Sequence, residues 1–233
     1  MKAALINGSP KVKKSASGML LESLKAYLGE TEMLELGFHG SSVSGQEAEV
    51  LREADALVFS FPLYVDGIPG HLLSCLADLE EASFKNGKIR IYGIVNCGFY
   101  EGIQAEPALQ ILKNWCVRTG CVWGGGVGVG GGGALAQMPK TKSGHGPWEP
   151  IEKALKVLAE AICTGHVQGD QQAQDHGQVQ ENQYVSVAFP RFLYKLAAQL
   201  GWRQMVKASG GRARDLGKRP EGGHAHGITG HTP

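Results

Sequence analysis

Serine and lysine side chains cluster directly after the first predicted strand. The cluster consists of Ser9, Lys11, Lys14, Ser15 and Ser17. The pattern predicts a strand over Lys2–Asn7, and leucines at helical spacing predict a helix that follows the serines. Hydroxyl and backbone N–H groups at a helix N-terminus favour an anion such as a phosphate. On this loop alone, a phosphate site and an ordinary serine-capped turn explain the residues equally well.

The loop lacks the two common phosphate-binding motifs. It contains neither G-x-x-x-x-G-K-[ST] nor a G-x-G-x-x-G after the first strand. Both absences disfavour a nucleoside-triphosphate site and a dinucleotide fingerprint. A serine-rich loop with few glycines better suits one dianionic phosphate monoester.

Composition and charge argue against a nucleic-acid-binding protein, a metal site, a disulfide framework and a membrane-spanning protein. The chain has 233 residues and a formal net charge of +1, which gives no reason to expect nucleic acid as a partner. Eight Lys/Arg and one acid, Asp215, lie between Tyr184 and Pro220, so this segment carries +7 and the remainder −6. The five cysteines form no C-x-x-C pair, so we expect no metal site and no disulfide framework. No leader and no membrane-length apolar run is evident, and we expect a cytoplasmic protein.

Five predicted strands alternate with five predicted helices. The strands cover Lys2–Asn7, 31–36, 56–61 and 89–96, and a fifth begins at 121. This alternation predicts a doubly wound parallel sheet, in which ligands bind beyond the carboxyl ends of the strands. The unusual loops after strands one, three and four meet at that end. Their coincidence favours the phosphate site over the capped turn.

Three motifs in these loops resemble the NAD(P)H-dependent FMN reductase family. They are N-G-S-P-x-x-x-x-S-A-S from Asn7, P-L-Y-x-x-x-I-P from Pro62 and N-C-G-F-Y-E-G from Asn96. The resemblance implies an α/β, flavodoxin-like, five-stranded sheet of order 2-1-3-4-5 that binds FMN without a covalent link. It also implies NADPH or NADH as co-substrate, a small-molecule electron acceptor such as a flavin or quinone, and a homo-oligomer (dimer or tetramer).

The resemblance assigns FMN contacts position by position. The implied phosphate contacts are Ser9, Lys11, Ser15, Ala16 and Ser17. The implied contacts to the ribityl chain and one side of the ring are Pro62, Leu63, Tyr64 and Val65, and those to the pyrimidine edge are Asn96, Gly98, Phe99, Tyr100 and Gly102. No catalytic acid or base is implied, because hydride passes directly between nicotinamide and flavin. The alternatives are an electron-transfer flavoprotein reduced by a protein partner and a non-catalytic flavodoxin-like binding module.

Two further features of the loops have competing interpretations. Cys97 is interpreted as a small residue beside a flat ligand rather than a redox thiol, because no second cysteine lies at a resolving distance. The glycine run 124–133 fits two interpretations equally well: a flexible linker, or a strand whose backbone a ligand or a neighbouring chain approaches closely.

The chain continues well beyond the usual family length, and Pro190 followed by leucines at helical spacing predicts a C-terminal helical extension. We expect a flavodoxin-like domain over 1–165, a polar linker over 166–186, an amphipathic basic helix over 187–208 and a disordered Gly/His-rich tail over 209–233. The basic helix fits three surfaces: its own domain, an oligomer partner or an anionic membrane. We favour burial against protein, because basic residues in the C-terminal half of a helix also suit its dipole.

Overall fold

The computed structural model describes residues 1–81, 89–137, 146–165 and 182–217. Its strands are β1 Lys2–Asn7, β2 Glu32–Gly37, β3 Ala56–Pro62, β4 Arg90–Asn96, β5 Val122–Gly130 and β6 Asn182–Ser186. Its helices are α1 Ala16–Lys25, α2 Gly45–Arg52, α3 Gly70–Glu81, α4 Glu106–Thr119, α5 Glu149–Thr164 and α6 Arg191–Ala208. Short 3-10 helices span Gly102–Ala105, Gly132–Gln137 and Ala213–Gly217.

The described strands form one parallel sheet in the order β2-β1-β3-β4-β5-β6. The predicted α/β class, the parallel sheet and the order 2-1-3-4-5 are confirmed, but the predicted number of five strands is wrong. The sixth strand, β6, lies within the segment 166–186 that was expected to be a polar linker; residues 166–181 lie outside the described part of the chain. Because β6 adds to the edge of β5, from Gly126↔Asn182 to Gly130↔Ser186, it needs no continuous apolar run to form.

The core lies on both faces of the central strands. In β3 the residues from Ala56 to Phe61 are all buried, as expected for a strand that helices cover on each side. Helix α1 contacts β3, and the buried leucines of α3 and α4 form one apolar cluster with Leu57, Phe59 and Phe61. The ring of Trp115 meets Phe59 edge to face at 6.1 Å. This layered packing fixes the carboxyl ends of β1, β3 and β4 along one edge of the sheet.

The glycine run forms most of β5 and is buried. A Cβ atom on Gly128 would lie 2.6 Å from the Gly102 carbonyl oxygen, and one on Gly130 would lie 2.0 Å from the Tyr100 carbonyl oxygen. No side chain fits at these distances, so the glycines let the loop after β4 lie directly on the sheet backbone. The interpretation as a flexible linker is wrong, because residues 124–130 belong to a strand. The backbone that approaches these glycines closely is the loop after β4 of the same chain, and approach by a ligand or a neighbouring chain stays a prediction.

The chain divides into two compact units, Met1–Ala188 and Phe189–Pro233. In the second unit, α6 has no buried residue, and Phe192, Trp202 and Met205 are each more than half exposed. Residues 213–217, expected in a disordered tail, form a 3-10 helix, and residues 218–233 lie outside the described ranges. None of the described helices is long and apolar enough to cross a bilayer.

Candidate functional site

Three loops converge at the carboxyl edge of the sheet: loop 1 (residues 8–15) after β1, loop 2 (63–69) after β3 and loop 3 (97–101) after β4. Asn96, at the end of β4 and directly before loop 3, connects loop 2 to the first turn of α1, the helix that follows loop 1. Its carbonyl oxygen accepts a hydrogen bond from the backbone N–H of Leu63 (2.8 Å), and its side-chain Oδ1 accepts one from the hydroxyl of Ser17 (3.0 Å). Asn96 is buried, so this junction holds the loops in fixed relation.

Asn7 organises loop 1 through its carboxamide. Its Oδ1 accepts from the backbone N–H of Ser9 (3.1 Å), and its Nδ2 donates to Ser15 Oγ (3.3 Å). The sequence pattern predicted Asn7 as the last residue of the first strand, with no role in loop 1. An Asn that bonds to the backbone two residues on is a recognised turn signal, so the pattern N-G-S could have identified it.

The hydroxyl oxygens of Ser9 and Ser15 both accept hydrogen bonds from the protein. Ser9 Oγ accepts from the backbone N–H of Lys11 (3.2 Å), and Ser15 Oγ caps α1 by accepting from the backbone N–H of Gly18 (3.1 Å). A hydroxyl has one hydrogen to donate, and neither serine donates it to another group in the described ranges. Both serines therefore have a donor available for an anion.

The backbone around these serines also suits an anion. The N–H groups of Ala16 and Ser17 lie in the first turn of α1, where a helix offers no acceptor, and that turn carries no acidic residue. Lys14 has a left-handed backbone (φ 53°) and directly precedes Ser15, the extended N-cap residue of α1. Together with the exposed lysines, these groups fit a phosphate monoester.

A cavity of about 390 Å³ opens beside loop 1, on the side of α1 that faces the start of α5. It is lined by Asn7, Val12, Lys14, Ser15, Gly18, Met19, Glu22, Ser23 and Trp148. Tyr64 and Phe99 do not line it. The cavity therefore extends the candidate site at loop 1 rather than at loops 2 and 3.

Ser17 has a different environment from the other two serines. It is 1% exposed, its hydroxyl donates to Asn96, and its carbonyl oxygen accepts from the hydroxyl of Ser60 (3.0 Å). In this arrangement Ser17 joins α1 to β3 and β4. The sequence contained a signal for this, because Ser17 lies three and four residues before Leu20 and Leu21 and so on the buried face of the helix. A phosphate contact from its side chain stays a prediction.

Loop 2 forms a tight turn in which Tyr64, Val65 and Asp66 are all exposed. Tyr64 and Gly67 exchange backbone hydrogen bonds (3.1 and 3.0 Å), and Val65 and Asp66 between them have φ angles of 47° and 58°. Two successive left-handed residues define a type I′ turn, which is unfavourable for a β-branched residue such as Val65. The Val65 side chain is fully exposed, Tyr64 is 51% exposed, and Pro62 and Leu63 are half-buried.

Loop 3 is held by the end of β5. The backbone N–H of Cys97 donates to Val129 (2.9 Å), and the N–H groups of Gly131 and Gly132 donate to Phe99 (2.6 Å) and Cys97 (2.7 Å). Phe99 is 54% exposed, and Gly98 has open space where a side chain would lie.

Two other residues of the loop 3 motif face the protein interior. Gly102 is buried, and a Cβ there would lie 2.3 Å from the Val185 carbonyl oxygen, so it packs on the sheet. The Cys97 thiol also points into the protein. Its Sγ contacts the carbonyl oxygens of Phe99 and Glu101, and burial raises its pKa. A protonated, enclosed thiol is a poor nucleophile, which agrees with the interpretation of Cys97 as a small residue in the turn.

His39 belongs to the site but was not found from the sequence. It follows β2, and its Nδ1 lies 2.6 Å from the carbonyl oxygen of Ser9. A single histidine after a strand carries no sequence signal for such a contact. No cluster of three or more His, Cys, Asp or Glu suited to a metal ion occurs within the described ranges.

Comparisons with known proteins identify the fold. No family model matches the chain, and no curated protein matches it. The flavodoxin of Streptococcus pneumoniae TIGR4 is 12% identical and superposes with a TM-score of 0.52 over 71% of this chain and 100% of its own. The rubredoxin oxygen:oxidoreductase of Desulfovibrio gigas is 14% identical, with a TM-score of 0.50 over 70% of this chain and 35% of its own. An azoreductase from Bacillus anthracis str. Sterne is 18% identical, with a TM-score of 0.49 over 70% and 99%. The likeness to the flavodoxin and to the rubredoxin oxygen:oxidoreductase establishes a flavodoxin-like fold.

Proposed function

We propose that this chain is an FMN-binding oxidoreductase that takes hydride from NADPH or NADH and reduces a flavin, a quinone or another small acceptor. The observation that supports it most directly is loop 1. Two hydroxyls with a hydrogen to donate, the open first turn of α1 and Lys14 meet at the carboxyl edge of a flavodoxin-like sheet. This is the place where such folds bind ligands.

The residues of loops 2 and 3 suit the remainder of the cofactor. Tyr64 and Phe99 expose more than half of their side chains, and aromatic surface of this kind suits a flat, largely apolar ring. Tyr100, which follows Phe99 in the sequence, is half-buried. The proposal includes stacking of Tyr64 and Tyr100 on the flavin ring. When bound, a flavin supplies hydride acceptance and electron donation, so the protein has to bind and orient it rather than supply an acid or a base.

A second candidate is an electron-transfer flavoprotein that a protein partner reduces. The observation that favours it is α6, which carries Arg191, Lys195, Arg203 and Lys207 but no acidic residue, and which leaves its apolar side chains exposed. A basic, apolar helix of this kind is able to dock an acidic partner.

Spectroscopy of the purified protein separates these functions. A bound yellow flavin that is released as FMN and bleached by NADPH or NADH under anaerobic conditions supports the reductase. Bound FMN that neither nicotinamide bleaches supports the electron-transfer alternative. A colourless protein that FMN does not reconstitute refutes both and favours a non-catalytic binding module.

The variant Ser15→Asp tests the phosphate placement without removing the helix cap. Aspartate is a good N-cap, so α1 keeps its cap, but its charge lies where the dianion is proposed to bind. Ser44→Asp is the matched control, because Ser44 caps α2 and makes the same change of charge away from the site. We expect Ser15→Asp to abolish FMN retention and Ser44→Asp to leave it unchanged. Equal FMN retention by the two variants would refute the placement.

We further propose that the protein is a homo-oligomer in which α6 is buried in the interface. The proposal is supported by the exposed apolar residues of α6 and by the opposite charges of the C-terminal segment and the remainder of the chain. Leu196→Glu with Leu200→Glu is expected to lower the sedimentation coefficient, whereas Gln199→Glu, which adds charge without removing apolar surface, is expected to lower it less. An unchanged coefficient in the double variant would contradict the proposal.

A further inference from the structure

The loop after β2 presents a histidine to the phosphate end of the candidate site. Phe38 anchors this loop, because its side chain is buried and its backbone N–H donates to the Asn7 carbonyl oxygen (2.9 Å). The His39 ring occupies the space that a side chain on Gly37 would take. A Cβ on Gly37 would lie only 2.3 Å from His39 Nε2.

The hydrogen bond between His39 and Ser9 has a defined direction. Nδ1 lies 2.6 Å from the Ser9 carbonyl oxygen, and a carbonyl oxygen only accepts. Nδ1 therefore carries the proton and donates it. This contact reaches loop 1 from a different strand, 30 residues along the chain.

Ser9 is held through each of its polar groups. Its N–H donates to Asn7 Oδ1, its Oγ accepts from the Lys11 N–H, and its carbonyl oxygen accepts from His39. The first two contacts come from within the same short turn. Since Pro10 has no N–H, the peptide between Ser9 and Pro10 has only its carbonyl oxygen with which to be oriented. His39 is the residue that orients it.

We propose that His39 is a positioning residue that makes the site selective for a phosphorylated flavin over the same flavin without phosphate. A carbonyl oxygen that faced a dianion would repel it. The hydrogen bond from His39 holds the Ser9 carbonyl oxygen so that it does not face the phosphate. The hydrogen of the Ser9 hydroxyl is then directed to the phosphate. This inference rests on the proposed function, because it requires that FMN binds at loop 1.

The test compares dissociation constants for FMN and riboflavin, measured by flavin fluorescence on the full-length apoprotein. We expect His39→Ala to weaken FMN about tenfold, the effect of losing roughly one net hydrogen bond, and to change riboflavin less than about twofold. His39→Asn should restore most of the FMN affinity, because an Asn amide nitrogen is able to donate from the position of Nδ1.

Two glycines of the same loop provide a matched pair. Gly37→Ala should displace the imidazole and reproduce the selective loss of FMN affinity, whereas Gly40→Ala meets no atom within 4 Å and should behave as wild type. If Gly37 acts through the ring, Gly37→Ala should have no further effect in the His39→Ala background.

The possible results are distinguishable. Equal weakening of FMN and riboflavin in His39→Ala, without recovery in His39→Asn, would show a merely structural role and overturn the inference. The inference would also be overturned if His39→Ala left the ratio of the FMN and riboflavin dissociation constants unchanged. The proposed function would still stand. A wild-type protein that binds neither flavin would overturn the proposed function, and this inference with it.

Discussion

Replacing Gly130 with alanine tests whether the glycines of β5 position loop 3. The new Cβ would lie 2.0 Å from the Tyr100 carbonyl oxygen and 2.7 Å from the Gly102 backbone nitrogen. Ordinary van der Waals contact begins at 3.4 Å, so the loop backbone must move away by roughly 1.4 Å. Both atoms belong to the main chain, and therefore no side-chain rotation relieves the contact.

The displacement should lower both stability and cofactor affinity. Overpacking of a well-packed interior typically costs about 1–3 kcal/mol, which we expect as the fall in the free energy of unfolding. Loop 3 also carries Phe99 and Tyr100. Because a misplacement of about 1 Å is able to cost a hundredfold in function, we expect FMN affinity to fall at least tenfold.

The assay is urea unfolding of the apoprotein together with FMN titration. Gly133→Ala is the matched control, because a Cβ there meets no atom within 4 Å. Such a change is expected to leave stability unchanged or to raise it by up to about 1 kcal/mol, since alanine restricts the unfolded chain. If Gly130→Ala matched Gly133→Ala in both measurements, close approach of loop 3 to β5 would not be what these glycines provide.

Three further predictions concern thiols, pH and the exposed aromatic residues. Of the five free cysteines only Cys163 is exposed, so a thiol reagent at pH 8 should label one thiol in the native protein, five after unfolding and none in native Cys163→Ser. Burial raises the pKa of Cys75 from 9.0 to about 11 and that of Tyr92 from 10.0 to about 12, so folding favours their protonated forms. The stability they contribute is complete below pH 9 and is lost as the pH rises to 12; urea midpoints should fall over that range, and less steeply in Cys75→Ala. Phe99→Ala and Tyr64→Ala should weaken FMN binding without lowering the stability of the apoprotein, and a marked loss of stability would show that these side chains pack into the protein.

The parts of the fold that the sequence predicted are those with dense apolar patterns. The run from Ala56 to Phe61 is almost continuously apolar, and a strand buried on both faces requires such a run. The leucines of α1 and α3 recur at helical spacing, so the periodicity predicted that both segments are helices. From these elements the parallel sheet and the edge at which the loops meet were predictable.

Two features that the sequence did not predict, β6 and the contact of His39 with Ser9, depend on residues that are distant in the sequence. The strand Asn182–Ser186 has only Tyr184 and Val185 as apolar residues and follows a Gln-rich segment, so nothing local distinguishes it from a linker. It forms because β5 offers a free edge. In the same way, the contact of His39 with Ser9 depends on β2 and β1 lying side by side, which no spacing between the two residues reveals.

The strand β6 shields the main-chain edge of β5 from other molecules. A glycine-rich strand has few side chains to obstruct pairing, and an uncovered edge would be a template for another chain. With β6 in place, the outer edge is a short strand with Asn182, Gln183 and Ser186 among its five residues, which is far less prone to such pairing. During synthesis β6 pairs later than the other strands, because residues 165–181 separate it from α5 and it must pair in parallel with β5. A nascent chain that ends at Gly165 therefore leaves the edge of β5 uncovered, and the first compact unit is complete only when Ala188 has been added.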